Sequence, residues 1–171
     1  MHNHTPGPPH LNRRHFQLAL AGAAALGLSG CASGNQAPPS RFLLLDGSVL
    51  SEADLRGQVT LVNFWATSCV SCVRKMPDLV ASYLKYRERG FDTIAVAMSF
   101  DPPAMVANFA QTRQLPFKVA LDSTGALARD WGEVRLTPTT FVLDRQARIV
   151  KRYLGPMDPA LLNAFIEGLL A

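Results

Sequence analysis

Histidine is confined to the first fifteen residues of this 171-residue chain, as His2, His4, His10 and His15. Whatever follows them works without imidazole. That excludes Ser–His and Cys–His catalytic pairs, and Cys/His zinc sites, from the rest of the chain. Cysteine is almost as scarce, with three: Cys31, Cys69 and Cys72. The formal net charge of +4 is not gathered into a basic run, and apart from Arg13 and Arg14 the 17 basic and 13 acidic residues nearly balance. The charge pattern therefore gives no support for nucleic-acid binding. No apolar stretch reaches the roughly 20 residues of a membrane-spanning helix. What is present, 48% hydrophobic and 18% charged residues, is the composition of an ordinary globular protein. The length suits one domain plus an extra segment.

The chain is organised around residues 61–72, Leu-Val-Asn-Phe-Trp-Ala-Thr-Ser-Cys-Val-Ser-Cys. A buried strand there delivers a Cys-x-x-Cys pair to the first turn of a helix expected over residues 73–89. One helical turn separates the two Cα atoms by about 5–6 Å, within disulfide range. The free N–H groups of that turn and the positive end of the helix dipole favour a thiolate on Cys69. This describes a dithiol that can cycle. A structural disulfide or half of a zinc site is the alternative for the bare spacing, and no second pair of zinc ligands accompanies it.

Residues 1–30 read as an export signal: a polar start without acids, an apolar run from Phe16 to Leu28, then Leu28-Ser29-Gly30-Cys31. That tetrapeptide resembles the lipobox of bacterial lipoproteins, which implies that Cys31 is lipidated and heads the mature chain. Arg13-Arg14-His15-Phe16 also resembles a twin-arginine signal, and the twin-arginine and general secretory routes both stay open. With Cys31 lipidated, Cys69 and Cys72 remain as one pair in a compartment that permits disulfides. Residues 31–40 are expected to form a flexible tether from the lipid to a domain over 41–171.

Within that domain, Asp46-Gly47 marks a hairpin turn between short strands, and Ser51 opens a helical turn that Gly57 stops. The apolar run 60–65 suggests a strand buried on both faces. Residues 91–97, 118–121, 139–143 and 149–154 read as further strands, the last two an antiparallel pair. After Cys72, Met76, Leu79, Val80 and Tyr83 mark the core face of the helix, Pro77 is expected to kink it, and Gly90 to end it. Asp101 reads as the cap of a helix with Met105, Val106 and Phe109 facing inward. A short helix is expected over residues 125–131. Asp158-Pro159 opens a last helix with an apolar stripe of Leu161, Leu162, Phe165, Ile166 and Leu169. Strands alternating with helices predict an α/β mixed sheet covered on both faces.

Trp65-Ala66-Thr67-Ser68-Cys69-Val70-Ser71-Cys72, followed by Met76-Pro77 and later by Thr137-Pro138-Thr139-Thr140-Phe141, resembles the thioredoxin superfamily. More narrowly, the chain resembles the membrane-anchored TlpA/ResA-like thiol-disulfide oxidoreductases of bacteria. The resemblance implies a thioredoxin-like fold with an N-terminal β-hairpin and a central βα insertion over residues 91–121. It implies that Cys69 attacks the substrate disulfide and Cys72 resolves the mixed disulfide. Pro138 is then a cis-proline beside the cysteines, Thr137 offers its backbone to an extended substrate, and Trp65 is the aromatic near the site. No cofactor is implied beyond the Cys69–Cys72 disulfide itself. The implied partners are protein thiols and disulfides, a membrane thiol donor for re-reduction, and the membrane through the lipid on Cys31. The implied location is the periplasmic side of a bacterial membrane, the molecule acting as a monomer.

Four positions depart from that pattern. Ser68 stands where many relatives carry a second Trp, and Val70-Ser71 lacks the usual proline. Asn63 replaces the buried Asp of thioredoxin, and Lys75 stands where many relatives have Glu. Both carboxylates that usually handle the proton of Cys72 are thus missing. A peroxidase needs Thr-x-x-Cys, whereas the chain has Thr67-Ser68-Cys69. A copper chaperone on this fold uses Cys-x-x-x-Cys and a distant His. A non-catalytic binding module is the remaining alternative. The resemblance leaves the substrate open among an apocytochrome, a copper-site protein and a general thiol pool.

Overall fold

The computed structural model describes Met1, His2 and residues 35–171. The expected export signal and Cys31 lie outside the described residues. Seven strands, β1 (Arg41–Leu44), β2 (Val49–Ser51), β3 (Val59–Trp65), β4 (Phe91–Ala97), β5 (Lys118–Leu121), β6 (Thr139–Leu143) and β7 (Ile149–Leu154), form one sheet in the order β2-β1-β5-β4-β3-β6-β7. Four α-helices join them: α1 (Val70–Tyr86), α2 (Pro103–Thr112), α3 (Ala126–Asp130) and α4 (Pro159–Leu170). The β5-β4-β3 centre is parallel, and β1, β2, β6 and β7 are antiparallel additions. The expected mixed α/β sheet is thus present.

β3 is buried at every position because both of its faces are covered. Its alternating side chains divide the core in two. Leu61 and Trp65 belong with Ala95 and Ala97 of β4, Met76 and Leu79 of α1, Val106 of α2, and Leu162 and Ile166 of α4. Val62 and Phe64 belong instead with Ile94, Val96, Phe141, and Leu127 and Ala128 of α3. Trp131 anchors that second layer with rings of Phe141, Phe42 and Phe64 at 5.1, 6.0 and 6.1 Å. Each fully buried side chain of this size contributes about 1.5–3 kcal/mol. The layering places the C-terminal ends of the parallel strands β3 and β4 side by side, with Met98 N–H bonded to Trp65 C=O at 3.0 Å.

Several expectations are corrected. α1 begins at Val70, three residues earlier than read, and runs unbroken through Pro77; a short 3-10 turn, Arg87–Arg89, extends it to Gly90. Gly90 adopts φ +87, a left-handed conformation that suits glycine at a helix end. The segment read as tether is docked from residue 35 onward. Ala37 is buried and its N–H bonds Ala147 C=O at 3.0 Å, while Ser40 Oγ accepts Trp131 Nε1–H at 2.9 Å. Asp101 does not cap α2, whose N-cap is Pro102. Met105 and Leu161 are exposed rather than inward. Each is the third residue of its helix, and the roughly 100° step per residue turns it away from its buried neighbour, Val106 or Leu162. No helix among the described residues is long and apolar enough to cross a membrane.

Candidate active site

The site grows from the C-terminal end of β3, where the chain leaves the sheet through Ala66-Thr67-Ser68 and enters α1 at Cys69. Cys69 is itself the N-cap residue, with φ −85 and ψ 100. Its sulfur accepts the Cys72 backbone N–H at 3.2 Å, the role an Asn or Ser side chain usually fills. Cys69 and Cys72 form a disulfide with Cα atoms 5.2 Å apart. The two residues differ in burial: Cys69 is half-buried, whereas Cys72 is 4% exposed. The capping amide and the dipole of a seventeen-residue helix both favour negative charge on Cys69 over Cys72. Ser71 Oγ lies 3.4 Å from Cys69 Sγ and is the nearest polar side chain between the cysteines.

The loop before β6 closes the site from the other side. The Thr137–Pro138 peptide is cis and Pro138 is buried. The Thr137 carbonyl oxygen stands 3.5 Å from Cys69 Sγ, where it can accept an S–H hydrogen bond after reduction. The structure thus brings Cys69, Cys72, Thr137 and Pro138 together as expected. Trp65 is corrected: it is wholly buried against Phe109, ring centroids 5.0 Å apart, and offers no surface to a substrate. Its position at the strand end supports the floor of the site.

Asp101 belongs to the site in a way the sequence reading missed. Its carboxylate, 5% exposed, accepts Thr67 N–H and Thr67 Oγ–H, both at 2.5 Å. This latch ties the β4–α2 connection to the loop that presents Cys69. A signal did exist: an Asp just beyond a parallel strand lies where such sheets gather functional residues. The reading as a helix cap, suggested by Pro102-Pro103, concealed it. Around the disulfide, Val70 and Leu136 are 69% and 67% exposed, an apolar rim suited to a polypeptide rather than a small polar substrate. A groove of about 380 Å³ runs beside it, lined by Thr67, Ser68, Met105, Asn108, Phe109 and Arg113 among others.

Behind the disulfide, Asn63 is buried and donates Nδ2–H to Thr140 Oγ1 at 2.8 Å across the β3–β6 pair. It is used as a neutral cross-strand link. Lys75 pairs with Asp78 at 3.0 Å. Among the described residues, no group of three or more His, Cys, Asp or Glu side chains is placed to hold a metal.

Comparison with known proteins agrees with this geometry. A family model described as Redoxin matches residues 32–165. The thiol-disulfide oxidoreductase ResA of Bacillus thuringiensis subsp. konkukian is 29% identical over 134 residues, covering 78% of this chain and 76% of the relative. ResA of Halalkalibacterium halodurans is 32% identical over 123 residues, with coverages of 72% and 69%. Among solved structures, a thiol:disulfide interchange protein of the thioredoxin family from Chlorobium tepidum superposes with a TM-score of 0.73 at 27% identity, covering 80% of this chain and 97% of that one.

Proposed function

Because the chain belongs to the redoxin family, as a TlpA/ResA-like member of the thioredoxin superfamily and a thiol-disulfide oxidoreductase, we propose that it reduces disulfides in other proteins by cycling Cys69 and Cys72. The Cys69 thiolate attacks a substrate disulfide and releases one substrate thiol. Cys72 then attacks Cys69 and releases the other, so two electrons pass from the protein dithiol to the substrate. The observation that carries this division of roles is the asymmetry of the pair: a half-buried, helix-capping Cys69 beside a buried Cys72.

The reductive direction rests on what surrounds Cys69. A strong oxidant needs extra stabilisation of its thiolate, which raises the reduction potential. Here Val70 supplies no polar group and Ser71 one contact at 3.4 Å. The helix dipole is shared by reductants and oxidants on this fold, so it does not decide.

In our reading the protein works on the periplasmic side of a bacterial membrane, held by lipid on Cys31, re-reduced by a membrane thiol donor, and acting as a monomer. An apocytochrome is the first substrate to test, because its Cys-x-x-Cys-His segment must be reduced before haem attaches; this would assign the protein to cytochrome c biogenesis. Trapping tests the reading. Cys72→Ser incubated with envelope proteins is expected to accumulate mixed disulfides that a small thiol releases, whereas Cys69→Ser is not. If neither variant traps a partner and the pair does not turn over, the protein is a binding module instead.

A further inference from the structure

Cys72 must become a thiolate to resolve a mixed disulfide, yet it is buried among Met76, Leu79 and the sheet. Burial alone disfavours the charged form. Beneath it lies a cavity of about 20 Å³, room for one water, lined by Cys72, Asn63, Lys75, Leu79, Pro138 and Thr140 and closed by residues 155–157. β3 and β6 bring neutral polar groups to this space, and the Pro138 loop and the segment before α4 bring none that ionise. Among the residues lining it, Lys75 is the single charged one. It follows Cys72 by three positions on α1, which sets both on one helix face. Its side chain lines the cavity and is 35% exposed, with its ammonium paired with Asp78 at 3.0 Å.

We propose that Lys75 activates Cys72, its ammonium stabilising the thiolate that forms when Cys72 gives its proton to water through the cavity. This deepens the redox reading and rests on it. A cation does not take up the proton as a carboxylate base would; it acts on the ionisation equilibrium instead, tempered by the anionic partner Asp78. The step balances. Cys72 S–H loses a proton to solvent, and the sulfur electron pair bonds to Cys69 Sγ. The Cys69–substrate S–S bond breaks, and its electron pair leaves on the substrate sulfur, which regains a proton from solvent. The substrate disulfide is the only oxidant required.

The test uses the reduced full-length protein and a neutral dipyridyl disulfide, whose two equivalents of chromophore report the two steps separately. The first release is attack by Cys69 and the second is resolution by Cys72. A nearby charge moves a thiol by about one pH unit or more, while nucleophilicity changes about half as steeply in the opposite sense. In Lys75→Gln the first release should therefore stay within about twofold of wild type. The second should be about threefold slower at neutral pH and about threefold faster once pH exceeds both thiol ionisations. Lys75→Arg should restore the wild-type profile. A second release that is unchanged at every pH, or slowed equally at every pH, overturns the proposal. Absence of a second release from wild-type protein overturns the dithiol reading beneath it, which is a different observation.

Discussion

Among single residues, two cysteines in unequal surroundings set the chemistry. Cys69 is half-buried and its sulfur accepts a backbone N–H, and Cys72 is packed in the core. With the protein reduced, limiting alkylation at mildly acidic pH should label Cys69 first, read by mass spectrometry of the peptides. Preferential labelling of Cys72 would reverse the roles. The Thr67–Asp101 latch makes a second prediction. Asp101→Ala leaves a backbone N–H and a hydroxyl without their acceptor, at a cost of about 1–3 kcal/mol. The urea midpoint should fall with little change in slope, and attack by Cys69 should slow because its loop is released. Asp101→Asn retains an acceptor and should lose less. A midpoint unchanged in both variants would show that the latch carries no load.

At the scale of elements, legibility followed from how each signal is encoded. The strands β4 to β7 were readable with their bounds because β-branched and apolar runs between polar turns have few other solutions. The start of α1 was not, since the residue that caps it is a cysteine and no Ser, Thr, Asp or Asn cap announces it. Asp158 was readable for the converse reason, and its carboxylate does accept Ala160 N–H at 2.8 Å. The β6–β7 turn offers a pH test. Asp144 accepts N–H groups of Gln146 and Arg148 and the Arg148 Nε–H at 2.9, 3.0 and 2.7 Å. Burial pushes its carboxyl upward, but those hydrogen bonds together outweigh it and hold the acid below its ordinary value of 3.8. A depressed carboxyl stabilises the fold above its unfolded-state value and loses that contribution as pH falls through the folded one. Asp144→Asn should therefore be less stable at neutral pH by about 1–3 kcal/mol, with the gap to wild type closing below about pH 4. A gap that persists unchanged in acid would mean that the charge of Asp144 is not its source.

At the scale of the whole molecule, the sequence signalled a dithiol on a covered α/β sheet but placed the domain edge too late. Small, polar and proline-bearing residues 35–40 have the composition of a linker, yet Ala37 and Ser40 fit a seam against Ala147 and Trp131 that composition does not encode. Any tether is accordingly shorter than residues 31–40. The proposed anchor predicts that Cys31→Ala moves the protein from the membrane to the soluble fraction or blocks its processing, since several acyl chains hold a protein where one does not. Wild-type protein recovered soluble, with a mature N-terminus other than Cys31, would refute the anchor.

Whether the Cys69–Cys72 pair is a reversible couple poised to reduce is read from its equilibrium reduction potential in glutathione buffers of graded ratio. A pair poised to reduce should exchange with full reversibility and show a potential below about −200 mV, on the reducing side of the oxidising compartments. A value of about −120 mV, at the oxidant's end of the scale, or a pair that does not exchange at all, would refute a reducing role.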